Sequence, residues 1–430
     1  MLLQLEGSQA ISRAIALCRP GVICAYPITP QTHIVEDLGQ LVHSGELKDC
    51  DYINVESEMA ALSVAIGSQA AGVRSYTATS SQGLLYMMEA VYNASGLELP
   101  IVMTLGNRAI GSPINIWNDH SDAMSARDAG WIMLFPETNQ EAADLHIQSF
   151  KIAEVVRCPV MVCVDGFILT HAYERVDIPS QEDVDDFLSP YKPHISLDTN
   201  NPLAIGTMVP PEYFMEVRYL AHKRQSEALG IIDCVGKKFL EKFERQSGGL
   251  IRTYNTENAD TIIIAMGSVL GTIKDAVDEL NAQGGKFGVV SIVSYRPFPA
   301  EAIKAAVAKA KRVVVLEKAL AVGIGGILSK EVELATSVTL DPFTSLKSSS
   351  ASQAHHAYYS EDSEALAPVV QPLTSVIAGL GGRVITKKML ADYLVQDHYK
   401  AEVFLGLNNE IVNREYKSIT SCCCKQKVNQ

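Results

Sequence analysis

Four stretches of this 430-residue chain bring together side chains that could do chemistry. The first is AYPITPQT, residues 25–32, where the apolar run GVICAY ends between two prolines. Pro30 biases Thr29 toward extended backbone, as Pro27 does Tyr26. Ligands of open α/β sheets sit at the carboxyl ends of strands, so Thr29 is a stiffly held hydroxyl placed to donate a hydrogen bond. A rigid turn before a helix capped by Thr32 would account for the same residues.

The second stretch is NVESEMAAL, where Glu56 and Glu58 open a helix built almost wholly of Ala, Val, Ile, Leu, Gly and Ser. Acids in a first turn favour the helix dipole, which by itself would explain both. A helix of such small residues must still pack closely on several sides. A glutamate buried there can keep a proton near neutral pH or share one with a basic ring nitrogen. Two positions apart on a helix is about 200° of rotation, so the pair cannot enter one pocket. The pattern does not choose between them.

In the third, LPIVMTLGNRAI, a strand closes at Leu105 and Arg108 follows at its carboxyl end. An arginine there can pair in bidentate fashion with a substrate carboxylate, although a surface arginine would look the same. In the fourth, NIWNDHSD, the residues Asp119, His120 and Asp122 look like metal ligands, but their spacing fits no standard site. A hydrogen-bonded loop beside a site is the better reading, and no residue is assigned to a metal. MGSVLG, residues 266–271, is not the GxGxxG of a dinucleotide site.

The elements that must position these residues follow from hydrophobic periodicity. Up to residue 184, near-continuous apolar runs (GVICAY, DYIN, RSYTAT, PIVMTL, WIMLF, PVMVCVD) alternate with helical stretches. That pattern predicts a parallel sheet covered by helices on both faces. The amino end, MLLQLEGSQAISRAIALCRP, reads as a first amphipathic helix with no basic leader. Residues 185–255 form an expected connector with a long helix. A second, smaller α/β domain spans 256–410, with a Ser-rich insertion at about 336–372. Residues 411–430, ending in Cys422 to Cys424 and KQKVNQ, are expected to be a flexible tail.

A net charge of −13 excludes a nucleic-acid partner of the usual kind, which would need a basic face. No apolar run approaches the ~18–20 residues that span a bilayer, and a cytoplasmic location follows as an expectation. The nine cysteines include no CxxC pair, so spacing supplies neither a zinc site nor an iron–sulfur cluster.

Taken in order, YPITPQT, VESEMAALSVAIGSQAAGVRSYTATSSQGLLYMMEAVYNASG, LGNRAIGSPINIWNDHSD and DGFILTHAYE resemble the 2-oxoacid:ferredoxin oxidoreductases. NIWNDHSD resembles the pyruvate branch in particular, and YRPFP and GLGGR add similarities further on. The resemblance implies an amino-terminal thiamine diphosphate pyrimidine-binding domain and a second domain like the carboxyl-terminal one of transketolase. By position it assigns Glu58 to the aminopyrimidine ring, as catalytic and cofactor-binding residue, and Thr29 and Arg108 to the substrate carboxylate. A carboxyl group on that ring promotes the imino tautomer that deprotonates the thiazolium carbon.

The implied reaction is oxidative decarboxylation of pyruvate with coenzyme A to acetyl-CoA and carbon dioxide, with ferredoxin as acceptor. Two departures stand out: Glu317-Lys318 where the family often has Asp-Arg, and Val384 where an acid usually follows GLGGR. Both put partner or coenzyme A contacts in question. The chain also lacks the Gly-Asp-Gly element that holds Mg2+ and diphosphate. The resemblance therefore implies partners: a beta subunit with the diphosphate-binding domain, and gamma- and delta-type or fused subunits. Mg2+ and 4Fe-4S clusters are expected on them. Two alternatives remain open: a relative acting on 2-oxoglutarate or a branched 2-oxoacid, and a non-catalytic scaffold subunit.

Overall fold

The computed structural model describes residues 1–337, 372–396 and 400–426. The Ser-rich stretch expected at 336–372 falls almost wholly outside the described residues.

The chain opens with β1 (Leu2–Glu6) and α1 (Gly7–Leu17), then β2 (Val22–Ala25), α2 (Thr32–His43) and β3 (Asp51–Asn54). There follow α3 (Glu58–Ala70), β4 (Ser75–Thr79), α4 (Ser81–Tyr86), α5 (Met88–Gly96) and β5 (Val102–Asn107). Next come α6 (Ser121–Ser125), β6 (Ile132–Leu134), α7 (Asn139–Val156), β7 (Val160–Asp165), β8 (Tyr173–Asp177) and α8 (Gln181–Phe187). The long α9 (Pro211–Phe243) leads to β9 (Ile251–Tyr254), β10 (Thr261–Ala265), α10 (Val269–Ala282), β11 (Phe287–Ile292) and β12 (Ser294–Arg296). The remainder is α11 (Ala300–Val307), β13 (Arg312–Glu317), α12 (Leu328–Ser337), β14 (Leu373–Ile377), α13 (Lys387–Leu394), β15 (Glu402–Phe404) and α14 (Asn409–Gln426).

Among the described residues two large sheets form. The first has the order β12-β6-β7-β5-β4-β2-β3 and is parallel except for β12. The second has the order β15-β14-β13-β10-β11-β9 and is parallel except for β9. Their central strands are buried on both faces, as the uninterrupted Val, Ile, Leu and Met runs required. One apolar cluster packs α1, α2 and α7 on one face of the first sheet. A second cluster joins Leu62, Leu84, Met87 and Trp131 to Ile262, Val290, Tyr295 and Val313, so a continuous core crosses from one domain into the other.

Three expectations change. The amino end is not one helix: β1 pairs antiparallel with β8, from Leu2↔Asp177 to Glu6↔Tyr173. The partner strand lies some 170 residues on, so no local window could reveal the pairing. β9 belongs to the second sheet although it sits in the stretch expected to be connector, while β12 crosses to the edge of the first. Residues expected to be a frayed tail instead form α14, exposed from Asn409 to Lys417. Asn408 Oδ1 accepts from the backbone N–H of Glu410 and Ile411 and caps its start.

α7 is buried nearly all round, and His146 sits at its centre. Its Nδ1 lies 2.6 Å from the Ala142 carbonyl and its Nε2 2.6 Å from Thr104 Oγ1, which also accepts from Tyr76 Oη. Burial drives the imidazole down to about 4, so the fold holds it neutral. This contribution is complete above an unfolded pKa of about 6.5 and is lost as pH falls through about 4. It amounts to about 3 kcal/mol. Urea unfolding of His146→Gln is expected to show a shallower loss of stability across that window than the unsubstituted chain. Identical pH profiles would exclude the assignment.

Candidate functional site

The carboxyl ends of β2, β4, β5 and β7 meet at one face of the first sheet, and the chemically capable residues gather there. Ser57 caps α3, its Oγ accepting from Ala60 N–H at 3.2 Å, so Glu58 is the first helical residue. Glu56 precedes the cap and is exposed, a correction to the expectation that both acids open the helix. Glu58 is only 8% exposed, and its carboxylate has no hydrogen-bond partner among the described residues.

Glycine makes this approach possible. A Cβ on Gly83, in α4, would lie 2.5 Å from Thr79 Oγ1 and 2.7 Å from Glu58 Oε1. Around the same strand ends, Thr79 Oγ1, Ser80 Oγ, Gln31 Oε1, Asn107 Oδ1 and Asn118 Oδ1 are buried without partners. Each such orphan costs about 1–3 kcal/mol, which a fold tolerates where a ligand will supply the missing bond. A second close approach brings Gln31 and Ser80 onto Gly106, whose Cβ would lie 2.9 Å from Ser80 Oγ.

Arg108 follows β5 and is buried, and burial pushes its guanidinium below the usual arginine range. Its Nη1 donates to the Thr29 carbonyl at 2.8 Å and its Nε to the Asn115 carbonyl at 3.4 Å. Nη2 has no partner among the described residues. Thr29 is exposed, and what it contributes to this contact is its carbonyl; its hydroxyl is uncommitted. The loop and the arginine thus lock each other.

Asp122 holds the start of α4 and Arg108 in one frame. Its Oδ2 accepts from the N–H of Ser81 at 3.0 Å and of Arg108 at 2.9 Å, and its Oδ1 from Asn107 Nδ2 at 2.9 Å. Burial raises its carboxyl to about 6 against these bonds. Asp119 accepts from Ser121 N–H and Gly381 N–H, each at 3.0 Å. NIWNDHSD is therefore a hydrogen-bonded loop, as its spacing suggested. GLGGR packs directly on it: a Cβ on Gly381 would lie 2.5 Å from Asn115 Nδ2, and one on Gly382 2.4 Å from Trp117 Cβ.

Sequence reasoning missed the hub of this face. Asp165 ends β7 fully buried, with His120 Nε2 at 2.7 Å, Lys318 Nζ at 3.1 Å and Ser268 N–H at 3.0 Å. Burial alone would raise its pKa, but Lys318, His120 and Ser268 overcome it and hold the carboxyl well below the usual range. The Glu317-Lys318 departure has its physical role here. Lys318 crosses to the first domain, while Glu317 accepts the N–H groups of Ile327, Leu328 and Ser329 at the start of α12. A signal existed: an acid closes the apolar strand PVMVCVD, and an acid and a base follow the apolar run VVVL in RVVVLEK.

Residues 13–236 match the family described as pyruvate flavodoxin/ferredoxin oxidoreductase, thiamine diP-binding. Residues 259–346 match the pyruvate:ferredoxin oxidoreductase core domain II. The chain is 49% identical over 320 residues to pyruvate synthase subunit PorA of Methanosarcina barkeri, covering 74% of this chain and 80% of that one. It is 42% identical over 329 residues to ketoisovalerate oxidoreductase subunit VorA of Pyrococcus horikoshii, covering 76% and 83%. A 2-oxoglutarate:ferredoxin oxidoreductase from Magnetococcus marinus, solved with 2-oxoglutarate, coenzyme A and succinyl-CoA, shares the fold. The TM-score is 0.66 at 22% identity, over 91% of this chain and 64% of that one, under two thirds of its length.

Removing the cation from the buried hub tests whether it holds the domains together. Lys318→Met leaves Asp165 short of a counter-charge and is expected to cost about 3–5 kcal/mol in denaturant unfolding. Hydrogen exchange should rise at the NIWNDHSD loop and the Gly267 turn. A loss below about 1 kcal/mol would show that the pair is dispensable.

Proposed function

The chain belongs to the pyruvate flavodoxin/ferredoxin oxidoreductase family, and from that membership we propose that it is the alpha-type subunit of a pyruvate:ferredoxin oxidoreductase. The complex converts pyruvate and coenzyme A to acetyl-CoA and carbon dioxide while reducing ferredoxin, and the reaction is reversible in principle. The observation that carries the reading at the site is Glu58: a buried carboxylate without a partner, pressed against Gly83 beside the orphaned Thr79 Oγ1.

Thiamine diphosphate fits this donor set, because an aminopyrimidine offers both a ring nitrogen to share a proton with a carboxylate and an exocyclic amine to satisfy buried acceptors. When bound, it supplies the nucleophilic carbon and the electron sink that decarboxylation of a 2-oxoacid requires. Glu58 would hold the ring nitrogen through a shared proton in a setting of low dielectric, where such a proton is most strongly held. Arg108 turns its uncommitted Nη2 to the substrate carboxylate, with the Thr29 hydroxyl as second donor, and together they orient the bond to be broken. Asp122 keeps Arg108 and the start of α4 in register.

This chain provides one side of the coenzyme site. A beta subunit carries the diphosphate-binding domain and its Mg2+, and further subunits carry the 4Fe-4S clusters that pass electrons to ferredoxin in a cytoplasmic complex. The chain shows no helix long and apolar enough to cross a membrane among its described residues. The domain division we propose is a pyrimidine-binding unit to about 184, a connector with α9 over 185–255, and a second α/β unit over 256–410. A branched 2-oxoacid is the second reading, favoured by the 42% identity to the ketoisovalerate subunit.

The chain purified with its natural partners should decarboxylate pyruvate and reduce ferredoxin or a viologen dye, faster than it does 2-oxoisovalerate. Glu58→Gln is expected to lower kcat by at least about 100-fold while the complex still assembles. Wild-type turnover in that variant would remove the assignment. Arg108→Ala should raise KM for the 2-oxoacid about 10- to 100-fold, the worth of a charge-assisted hydrogen bond. An equal loss toward a substrate without a carboxylate would refute the clamp.

A further inference from the structure

A cluster outside the site described above joins three segments far apart in sequence. Glu6 lies at the β1–α1 junction, His33 in the first turn of α2, and His171 in the loop after β7. One carboxylate oxygen of Glu6 and one ring nitrogen of each histidine all lie within 4.8 Å of one another. Glu6 Oε1 is 2.7 Å from His33 Nδ1, and the two imidazole rings face each other with centroids 4.7 Å apart.

We propose that Glu6, His33 and His171 bind a divalent transition-metal ion of the Zn2+ class. Two imidazoles and one carboxylate are the donor set such ions take up, with a fourth position open to water. Bonds of about 2.0–2.2 Å place ligand atoms of a tetrahedral ion about 3.3 Å apart, so closure needs a movement of about 1.5 Å at most. His33 can supply it, being 49% exposed, while Glu6 is 13% exposed and shielded.

The ligands must be neutral imidazoles. The plane of His171 is already set. The Phe167 ring lies beside it, tilted, with centroids 4.8 Å apart, and Thr170 Oγ1 lies 2.7 Å from Nδ1. A proton on Nδ1 donated to Thr170 leaves Nε2 as the ligand, the outer support that metal-bound histidines commonly have. For His33 Nδ1 to take the ion, the proton it shares with Glu6 moves to Nε2 of the same ring, the other neutral tautomer.

The consequence is local and mechanical. The His171 loop begins at Gly166, where a Cβ would lie 2.4 Å from Pro30 Cγ. Pro30 adjoins Thr29, whose carbonyl accepts from Arg108. An ion shared by Glu6, His33 and His171 would therefore join the Thr29–Gln31 loop, through His33, to the β1–α1 junction and the His171 loop.

The test is calorimetric titration of the full chain with Zn2+, compared with His33→Ala, His171→Ala and the isosteric Glu6→Gln. All keep the nine cysteines, so thiolate binding appears equally in each. The expected result is one equivalent weakened at least 100-fold in either histidine variant, and a Zn2+-dependent rise in melting temperature that those variants lose. Co2+ should give tetrahedral or five-coordinate visible absorption that disappears in His33→Ala, an exposed position where folding is not at stake. The same number of equivalents and the same affinities in all four chains would overturn the proposal. So would Co2+ absorption unchanged by loss of His33.

Discussion

A single buried carboxylate, Asp165, sets the relation between the two domains and hence the floor of the site. It ends β7 with no access to water, yet remains ionised because Lys318 arrives from β13, Ser268 from the turn before α10 and His120 from the NIWNDHSD loop. A carboxylate in such a place is tolerable only with its full set of partners. Those partners come from both domains, so the second domain has one seating that satisfies the charge. Gly267 lies against Asp165 with positive φ, a position where a side chain would collide with the carboxylate.

From that floor the rest is transmitted through short bonds. His120 fixes the loop that carries Asp122, and Asp122 gathers the N–H groups of Ser81 and Arg108. Ser81 begins α4, whose Gly83 rests on Glu58. Acid, arginine and threonine are thus placed relative to one another by a chain of hydrogen bonds that starts at the domain boundary. The orphaned atoms on Thr79, Ser80, Gln31 and Asn107 are the counterpart of this rigidity. A fold that satisfied them internally would have closed the space that these atoms line.

Much of this was legible in advance, for a physical reason. Strand–helix alternation survives in local windows, so GVICAY, RSYTAT and PVMVCVD appear as strands β2, β4 and β7, while THIVEDLGQLVH and NQEAADLHIQSFKIAEVV match α2 and α7 at both ends. Thr29 and Arg108 stood out as candidates because they follow strand ends, and Glu58 as one of two acids at the start of a small-residue helix. Between Glu56 and Glu58 the residues themselves were silent, since both are acids near a helix start. Burial separates them: Ser57 places the cap between the two, leaving Glu56 in water and Glu58 inside.

What the chain's order of residues determined alone was therefore the alternation, the parallel character of the first sheet and the side chains available for chemistry, because each depends on neighbours within about ten positions. Tertiary structure decided what depends on distant partners. It paired β1 with β8, assigned β12 to a sheet that its neighbours in sequence would not suggest, and brought Lys318 to Asp165 and Glu6 to His171. Such contacts join segments separated by more than 100 residues. Their energy comes from desolvation and charge pairing that exist only once both sides are buried together.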